Sequence, residues 1–192
     1  MSQELLSILE VLGVVTALVY LVVVTKRRWI AWPFYIASSC LYAPVFWHAD
    51  LYADAVLQIY FVGMGVYAWM VWKGEAAQVR VASWPLRYNV AISIVIVMTA
   101  AVLGYLLSYT SAGWFGYADA LITVGSVVAT FVTARKVLQG WLYWVAIDIA
   151  AALVFALRGL EVTVWLYAVY AVLAWRAFFV WREVSREQSF CA

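Results

Sequence analysis

ARKVLQGWLYWVAIDIAAALVFAL, residues 134–157, is the stretch that decides the fold. A basic pair, Arg135 and Lys136, precedes twenty residues from Leu138 to Leu157 whose only charge is Asp148, and Arg158-Gly159 follows. A helix crossing a hydrocarbon core needs about 20 predominantly apolar residues, so 138–157 has the length of one membrane span. Similar runs lie at 5–25, 29–48, 51–72, 89–110, 115–134 and 160–181, which makes seven. Composition agrees. Hydrophobic residues are 68% and charged residues 11%, against about 45–50% and about 25% in soluble domains. So few charges cannot cover a water-facing surface, and disorder is excluded on the same ground. Twelve Trp and thirteen Tyr supply the aromatics that gather at membrane interfaces. A net charge of +2 leaves no footprint for nucleic acid. Cys40 and Cys191, one in an apolar run and one in a polar tail, do not make a disulfide framework.

Basic residues set the expected orientation. Lys26, Arg27 and Arg28 follow span 1, and Lys73, Arg80 and Arg87 follow span 3. Arg135 and Lys136 follow span 5, and Arg182 and Arg186 follow span 7. All fall on one side, and Arg158 alone falls on the other. The amino terminus is therefore expected outside and the carboxyl terminus in the cytoplasm. Met1-Ser2-Gln3-Glu4 has no basic residue, so span 1 is expected to be a membrane helix rather than a cleaved signal. Span 2, interrupted by Pro33 and Pro44, carries the weakest signal. Membrane helices tolerate such prolines where neighbours satisfy the freed carbonyls.

Sliding the chain against itself by 109 residues brings Trp32 over Trp141, Phe46 over Phe155, Leu57 over Leu166, Val71 over Val180 and Trp72 over Trp181. Ten of the 41 positions from 32 to 72 are identical at this shift. Tyr35 over Trp144 and Phe61 over Tyr170 keep aromatic character, and Lys26-Arg27 fall over Arg135-Lys136. A shift of four spans preserves direction. The expected fold is thus an all-α membrane protein of seven transmembrane helices, two parallel three-helix bundles at 5–72 and 115–181 joined by an inverting helix at 89–110. Parallel repeats of this kind are a transporter plan with cargo held near the midplane between halves.

Ionisable groups inside a bilayer are rare and usually functional. Asp148 lies mid-span, where an Asp costs about 2.5–3.5 kcal/mol on insertion scales. No Lys or Arg lies at that depth in any span. The carboxyl must be protonated, hydrogen-bonded, solvated by a cavity, or matched by a cation from outside. A structural Asp bonded to a neighbouring helix is the alternative. Trp141, Trp144 and Asp148 stand at i, i+3 and i+7, on one helix face. Indoles beside a carboxylate suit an aromatic cation, through stacking and cation–π attraction. Gln58 can donate and accept toward a carboxamide or a ribose hydroxyl, or simply join helices; Trp69 continues its face. Asp119 shares a stripe with Thr123 and Ser126, although a carboxylate near a helix start also satisfies the macrodipole. The candidate substrate contacts are therefore Gln58, Trp69, Asp119, Thr123, Trp141, Trp144 and Asp148.

Other chemistries lack their residues. Lys26, Lys73 and Lys136 all lie at span ends, so a retinal-type Schiff base has no attachment point. His48 is the only histidine, which disfavours Ser–His hydrolysis and paired-histidine metal sites. No phosphate-binding glycine loop occurs. An enzyme, a cofactor and a metal are not expected.

These phrases resemble the Pnu family of vitamin-precursor transporters. The resemblance rests on Trp32-Pro33, Leu41-Tyr42-Ala43, Leu51-Tyr52-x-Asp54, Leu57-Gln58 and Tyr67-Ala68-Trp69-x-x-Trp72 in the first unit. Asp119-Ala120-Leu121, Trp141-x-x-Trp144-x-x-x-Asp148, Gly159-Leu160 and Leu166-Tyr167 carry it in the second. It extends over about residues 10–182. It implies a seven-helix carrier, related in plan to SWEET sugar transporters, in a bacterial inner membrane. Such a carrier binds nicotinamide riboside centrally and moves it by facilitated diffusion, with Gln58, Trp141, Trp144 and Asp148 at family site positions. Phe34-Tyr35 stand where a glycine is common, and Ala68 and Ala177 replace expected glycines. Relatives carry thiamine or other vitamins, and both nicotinamide riboside and thiamine are cations. A small cationic aromatic substrate and the lipid bilayer are the expected partners, and a homo-oligomer is compatible with the plan. The rival reading is a seven-helix sensor that binds without transporting.

Overall fold

In lipid every backbone N–H and C=O must be satisfied within the chain, so an apolar run that spans becomes a helix. A computed structural model describes residues 2–48, 52–74, 80–109, 115–159 and 161–190. Its helices are α1 (Gln3–Thr25), α2 (Ala31–His48), α3 (Tyr52–Lys73), α4 (Leu86–Leu107), α5 (Phe115–Ala134), α6 (Gly140–Leu157) and α7 (Glu161–Phe190). Seven helices match the seven expected runs, and six of them are long and apolar enough to cross a membrane. The exception is α2, the run with two prolines. Pro33 falls in its first turn, where the missing N–H is an orphan anyway. Pro44 lies inside and removes one ladder bond, yet the helix continues to His48. The largest differences from expectation are at the start of α4, which also ends at Leu107 rather than at 110, and at the end of α7. Pro85, extended at φ −64° and ψ 154°, delivers the chain into α4 at Leu86 rather than at 89. α7 runs on past Trp181 to Phe190, through the charged residues Arg182, Glu183, Arg186 and Glu187.

The chain divides into two compact units, Met1–Arg80 and Val81–Ala192. In the first, α2 packs against both α1 and α3. Its core is aromatic. Trp32, with no exposed surface, meets Trp72 edge-on at 5.2 Å and 85°. Tyr20 lies 5.5 Å from Trp32 and 4.8 Å from Tyr35, and Tyr35 reaches Phe61 on α3 at 6.0 Å. Such pairs add about 0.5–1.5 kcal/mol each beyond their buried area. Ser38 on α2 donates to the carbonyl of Gly13 on α1 at 2.9 Å. In the second unit α6 packs against α5 and α7, and α4 lies along α5. The helix expected as the inverter, α4, clusters with the second unit through α5.

The 109-residue shift is realised in atomic geometry. Trp141 and Trp181 meet at 5.3 Å and 81°, repeating the Trp32–Trp72 pair, and all four indoles are buried to 1% exposure or less. The turns entering α2 and α6 match as well. Arg27 and Lys136 both adopt left-handed backbone, at φ 55° and 64°. The N–H of Arg27 donates to Val24 O at 2.8 Å, and that of Lys136 to Thr133 O at 2.9 Å. Ala31 donates to Arg28 O and Gly140 to Val137 O, each at 3.1 Å. Trp32 donates to Trp29 O at 3.2 Å and Trp141 to Leu138 O at 3.3 Å. Biased composition produces chance identities, but not a matched set of backbone bonds.

The segment before α4 is strapped to the α5–α6 turn. Ala82 N–H donates to Lys136 O at 2.9 Å, and Leu138 N–H to Ala82 O at 2.8 Å. Gln139 accepts from Trp84 N–H at 3.0 Å and donates to Ser83 Oγ at 2.9 Å. Gln188, in the extension of α7, accepts from Val81 N–H at 3.1 Å.

Candidate substrate-binding site

The second unit holds five of the expected contacts. α6 starts tightly beneath the end of α5: a Cβ on Gly140 would lie 2.6 Å from Thr133 Oγ1 and 3.0 Å from its N. From that start the helical period turns Trp141, Trp144 and Asp148 to one face. Ile149 and Leu153, 50% and 61% exposed, occupy an exposed side of the helix. Asp148 is 5% exposed. No hydrogen bond or ion pair reaches its carboxylate from the described residues. A charge left so in low dielectric is costly unless something pairs with it.

The two tryptophans of that face have different standing. Trp141 is 1% exposed and meets Trp181 edge-on at 5.3 Å. Trp144 is half-buried, and no described ring, ion pair or hydrogen bond engages it. Asp119 is already answered: Arg158 Nη2 donates to its Oδ2 at 2.7 Å, with both side chains part-exposed. The same guanidinium lies 4.6 Å from the Phe115 ring. Asp119 thus ties the start of α5 to the end of α6, and the macrodipole is only part of its role. Thr123, one turn along, is half-buried.

In the first unit Gln58 is 8% exposed, and no described group bonds to its amide. Trp69 is part-buried with Lys73 Nζ 5.9 Å from its ring, so a built-in cation already faces it.

Sequence reading missed several buried polar groups. Ser38 and Ser39 are 7% and 4% exposed, and Thr130 and Thr133 are 2% and 1% exposed. Thr130 continues the Thr123–Ser126 stripe at helical spacing and donates to Ser126 O at 2.8 Å. Tyr143 donates to Asn89 O at 3.2 Å, a tie between α6 and α4. Two grooves occur in this unit. One of about 330 Å³ between α6 and α7 is lined only by Ile, Ala, Leu and Val, including Ile149, Leu153 and Val164. The other, about 160 Å³, is lined by Ser93, Gly125, Tyr143 and apolar neighbours. The first is too apolar to orient a polar cargo and the second is small against ordinary ligand pockets of about 300–1,000 Å³. Neither includes Asp148, so the carboxylate rather than the grooves marks the chemistry.

Seven helices, six of them long and apolar enough to cross a membrane, carry buried polar groups without partners among the described residues, and comparison with known proteins gives the class, a transporter. Residues 7–183 match the nicotinamide mononucleotide transporter family, and the chain belongs to that family. It is 23% identical to the nicotinamide riboside transporter PnuC of Escherichia coli (strain K12) over 211 residues, covering 95% of this chain and 88% of that one. It is 26% identical over 187 residues to the riboflavin/roseoflavin transporter RibM of Streptomyces davaonensis, covering 94% and 87%. A crystal structure of the vitamin B3 transporter PnuC has the same fold, with a TM-score of 0.77 at 20% identity, covering 94% of this chain and 83% of that one.

Proposed function

We propose that this vitamin transporter carries nicotinamide riboside by facilitated diffusion, and that Asp148 and Trp144 receive its pyridinium. The carrying observation is the Asp148 carboxylate, 5% exposed with no cationic partner among the described residues. A cargo with a fixed positive charge supplies the missing counter-ion, and its flat ring suits the Trp144 indole. Asp119 and Trp69, each already facing a built-in cation, take no direct part. The basic residues at the ends of spans 1, 3, 5 and 7 support an outside amino terminus and a cytoplasmic carboxyl terminus, and similarity to bacterial transporters supports a bacterial inner membrane.

Similarity to a riboflavin transporter favours one competing cargo, which is uncharged on its ring system, and thiamine is a second cation. Proteoliposome uptake of labelled nicotinamide riboside, competed by unlabelled thiamine and riboflavin, separates the three. Saturable uptake that neither proton nor sodium ionophores alter is expected, with riboflavin the weakest competitor. Uptake of riboflavin in preference to nicotinamide riboside would overturn the cationic reading. Ligand binding by intact protein with no uptake would favour a sensor.

A further inference from the structure

The 109-residue shift lays Glu10 over Asp119 and Phe46 over Phe155. In the second unit a single cation answers both groups. Arg158 donates to Asp119 Oδ2 at 2.7 Å, and its guanidinium lies 6.0 Å from the centre of the Phe155 ring. The first-unit residue that corresponds to Arg158 is Ala49, which carries no charge. The carboxylate and the ring are thus repeated, and the cation that joins them is not.

Helical spacing turns Glu10 away from the apolar side of α1. Leu5, Ile8, Leu12 and Val15, at i, i+3, i+7 and i+10, are all exposed and form one apolar stripe. Gln3, Ser7 and Glu10, at i, i+4 and i+7, lie on the opposite side and are exposed too. Gly13, three residues after Glu10, borders that side and is buried against α2. Ser38 donates to its carbonyl at 2.9 Å, and a Cβ there would lie 2.9 Å from the Tyr42 ring.

These two contacts fix the register of α1 on α2, which run in opposite directions. One turn back from Gly13 on α1 is Glu10, and one turn on from Tyr42 on α2 is Phe46. Tyr42 and Phe46 stack at 5.4 Å and 16°, and Glu10 is within electrostatic range of Tyr42. No hydrogen bond or ion pair reaches the Glu10 carboxylate from the described residues. An ionisable group inside an apolar span faces a bundle interior or a watery path and takes a partner there. The first unit therefore presents a carboxylate and a stacked aromatic pair to a cation that no described residue supplies.

We propose that Glu10, Tyr42 and Phe46 form a second site for a small aromatic cation, which captures cargo from the side that the amino terminus faces. The site rests on the carrier reading above and deepens it. The cargo's pyridinium or thiazolium takes the part that the Arg158 guanidinium plays in the second unit, paired with a carboxylate and set against an aromatic face. Gln3 and Ser7 continue the polar stripe from Glu10 to the start of the helix. Attraction at such an exposed charge acts on encounter and weakens with salt.

The test is the initial rate of labelled nicotinamide riboside uptake by right-side-out proteoliposomes of the full-length protein, alongside thermal unfolding. Glu10→Gln and Tyr42→Leu are each expected to raise KM roughly three- to tenfold, the range of an exposed ion pair or cation–π contact. The maximal rate and the melting temperature are expected to stay unchanged. Glu10→Asp keeps the charge and is expected to stay near the wild-type KM. The Glu10→Gln effect is expected to shrink as ionic strength rises from about 0.01 to about 1 M, where the screening length falls from about 30 to about 3 Å. Wild-type KM in both Glu10→Gln and Tyr42→Leu, with Asp148→Asn impaired, overturns the capture site and leaves the carrier reading standing. A fall of several degrees in the Glu10→Gln melting temperature would show a native partner for the carboxylate and overturns the site as well. Wild type that takes up and binds neither nicotinamide riboside nor thiamine overturns the carrier reading and the capture site together.

Discussion

Replacing Asp148 by Asn removes one charge and almost no volume, and its effects on stability and on binding should have opposite signs. Two unit charges about 4 Å apart attract by about 4 kcal/mol at an effective dielectric near 20. The cargo loses hydration on binding, and hydrogen bonds to charged groups leave a net of about 1.5–3 kcal/mol. That corresponds to roughly 10–150-fold in dissociation constant. Asp148→Asn should therefore weaken nicotinamide riboside by that factor, and Asp148→Ala by at least as much. The empty protein should behave differently. Its carboxylate is 5% exposed and receives no bond from the described residues, so the substitution deletes an uncompensated group. The ligand-free melting temperature should stay level or rise. Calorimetry and thermal unfolding in the same detergent measure both quantities, and proteoliposome uptake reads the transport consequence. A fall of several degrees in the empty variant would refute the reasoning, because it would mean that the carboxylate has a native partner. Unchanged affinity would refute it from the other side.

Three further outcomes follow from the packing. Trp32→Phe should cost far less than Trp32→Ala, about 1–2 against about 3–5 kcal/mol in denaturant unfolding; the buried indole Nε1 has no acceptor among the described residues, so only packing is lost. Gly104→Ala should destabilise the second unit by about 1–3 kcal/mol, since the new Cβ would lie 2.8 Å from the Tyr117 Cα, while Gly63→Ala, with nothing within 4 Å, should be neutral in the same thermal assay. A double-mutant cycle on Arg158→Ala and Asp119→Ala should give a coupling below about 1 kcal/mol, because side chains 30% and 42% exposed are screened, and Asp119→Asn should leave the substrate dissociation constant unchanged.

Most of the scaffold was legible because lipid leaves the backbone one choice. Runs of twenty apolar residues gave α1, α3, α5 and α6 nearly to the residue, and even α2 persists through Pro44. The strap at Ala82 was not legible, since main-chain bonds to Lys136 and Leu138 follow no side-chain pattern. Nor was the end of α7, where the charges from Arg182 onward are outside the apolar run but not outside the helix. At the site, Asp148 and Gln58 stood out because polarity is conspicuous in hydrocarbon. The pairing of Asp119 with Arg158 joins groups 39 residues apart and was hidden. Trp141 and Trp144 looked alike until Trp181 covered one of them.

The left-handed residues at Arg27 and Lys136 bear on ancestry. Non-glycine residues lose about 1–2 kcal/mol in that conformation, and a glycine would sit there without strain. Both bends nevertheless keep a cation. Two independent lineages of helix would rarely settle on the same awkward solution at the same distance before a buried indole. A three-helix forebear, already bent and already basic at that point, would leave this pattern if its gene were copied and fused. The two copies would then differ in their polar residues and agree at the hinge, as they do here.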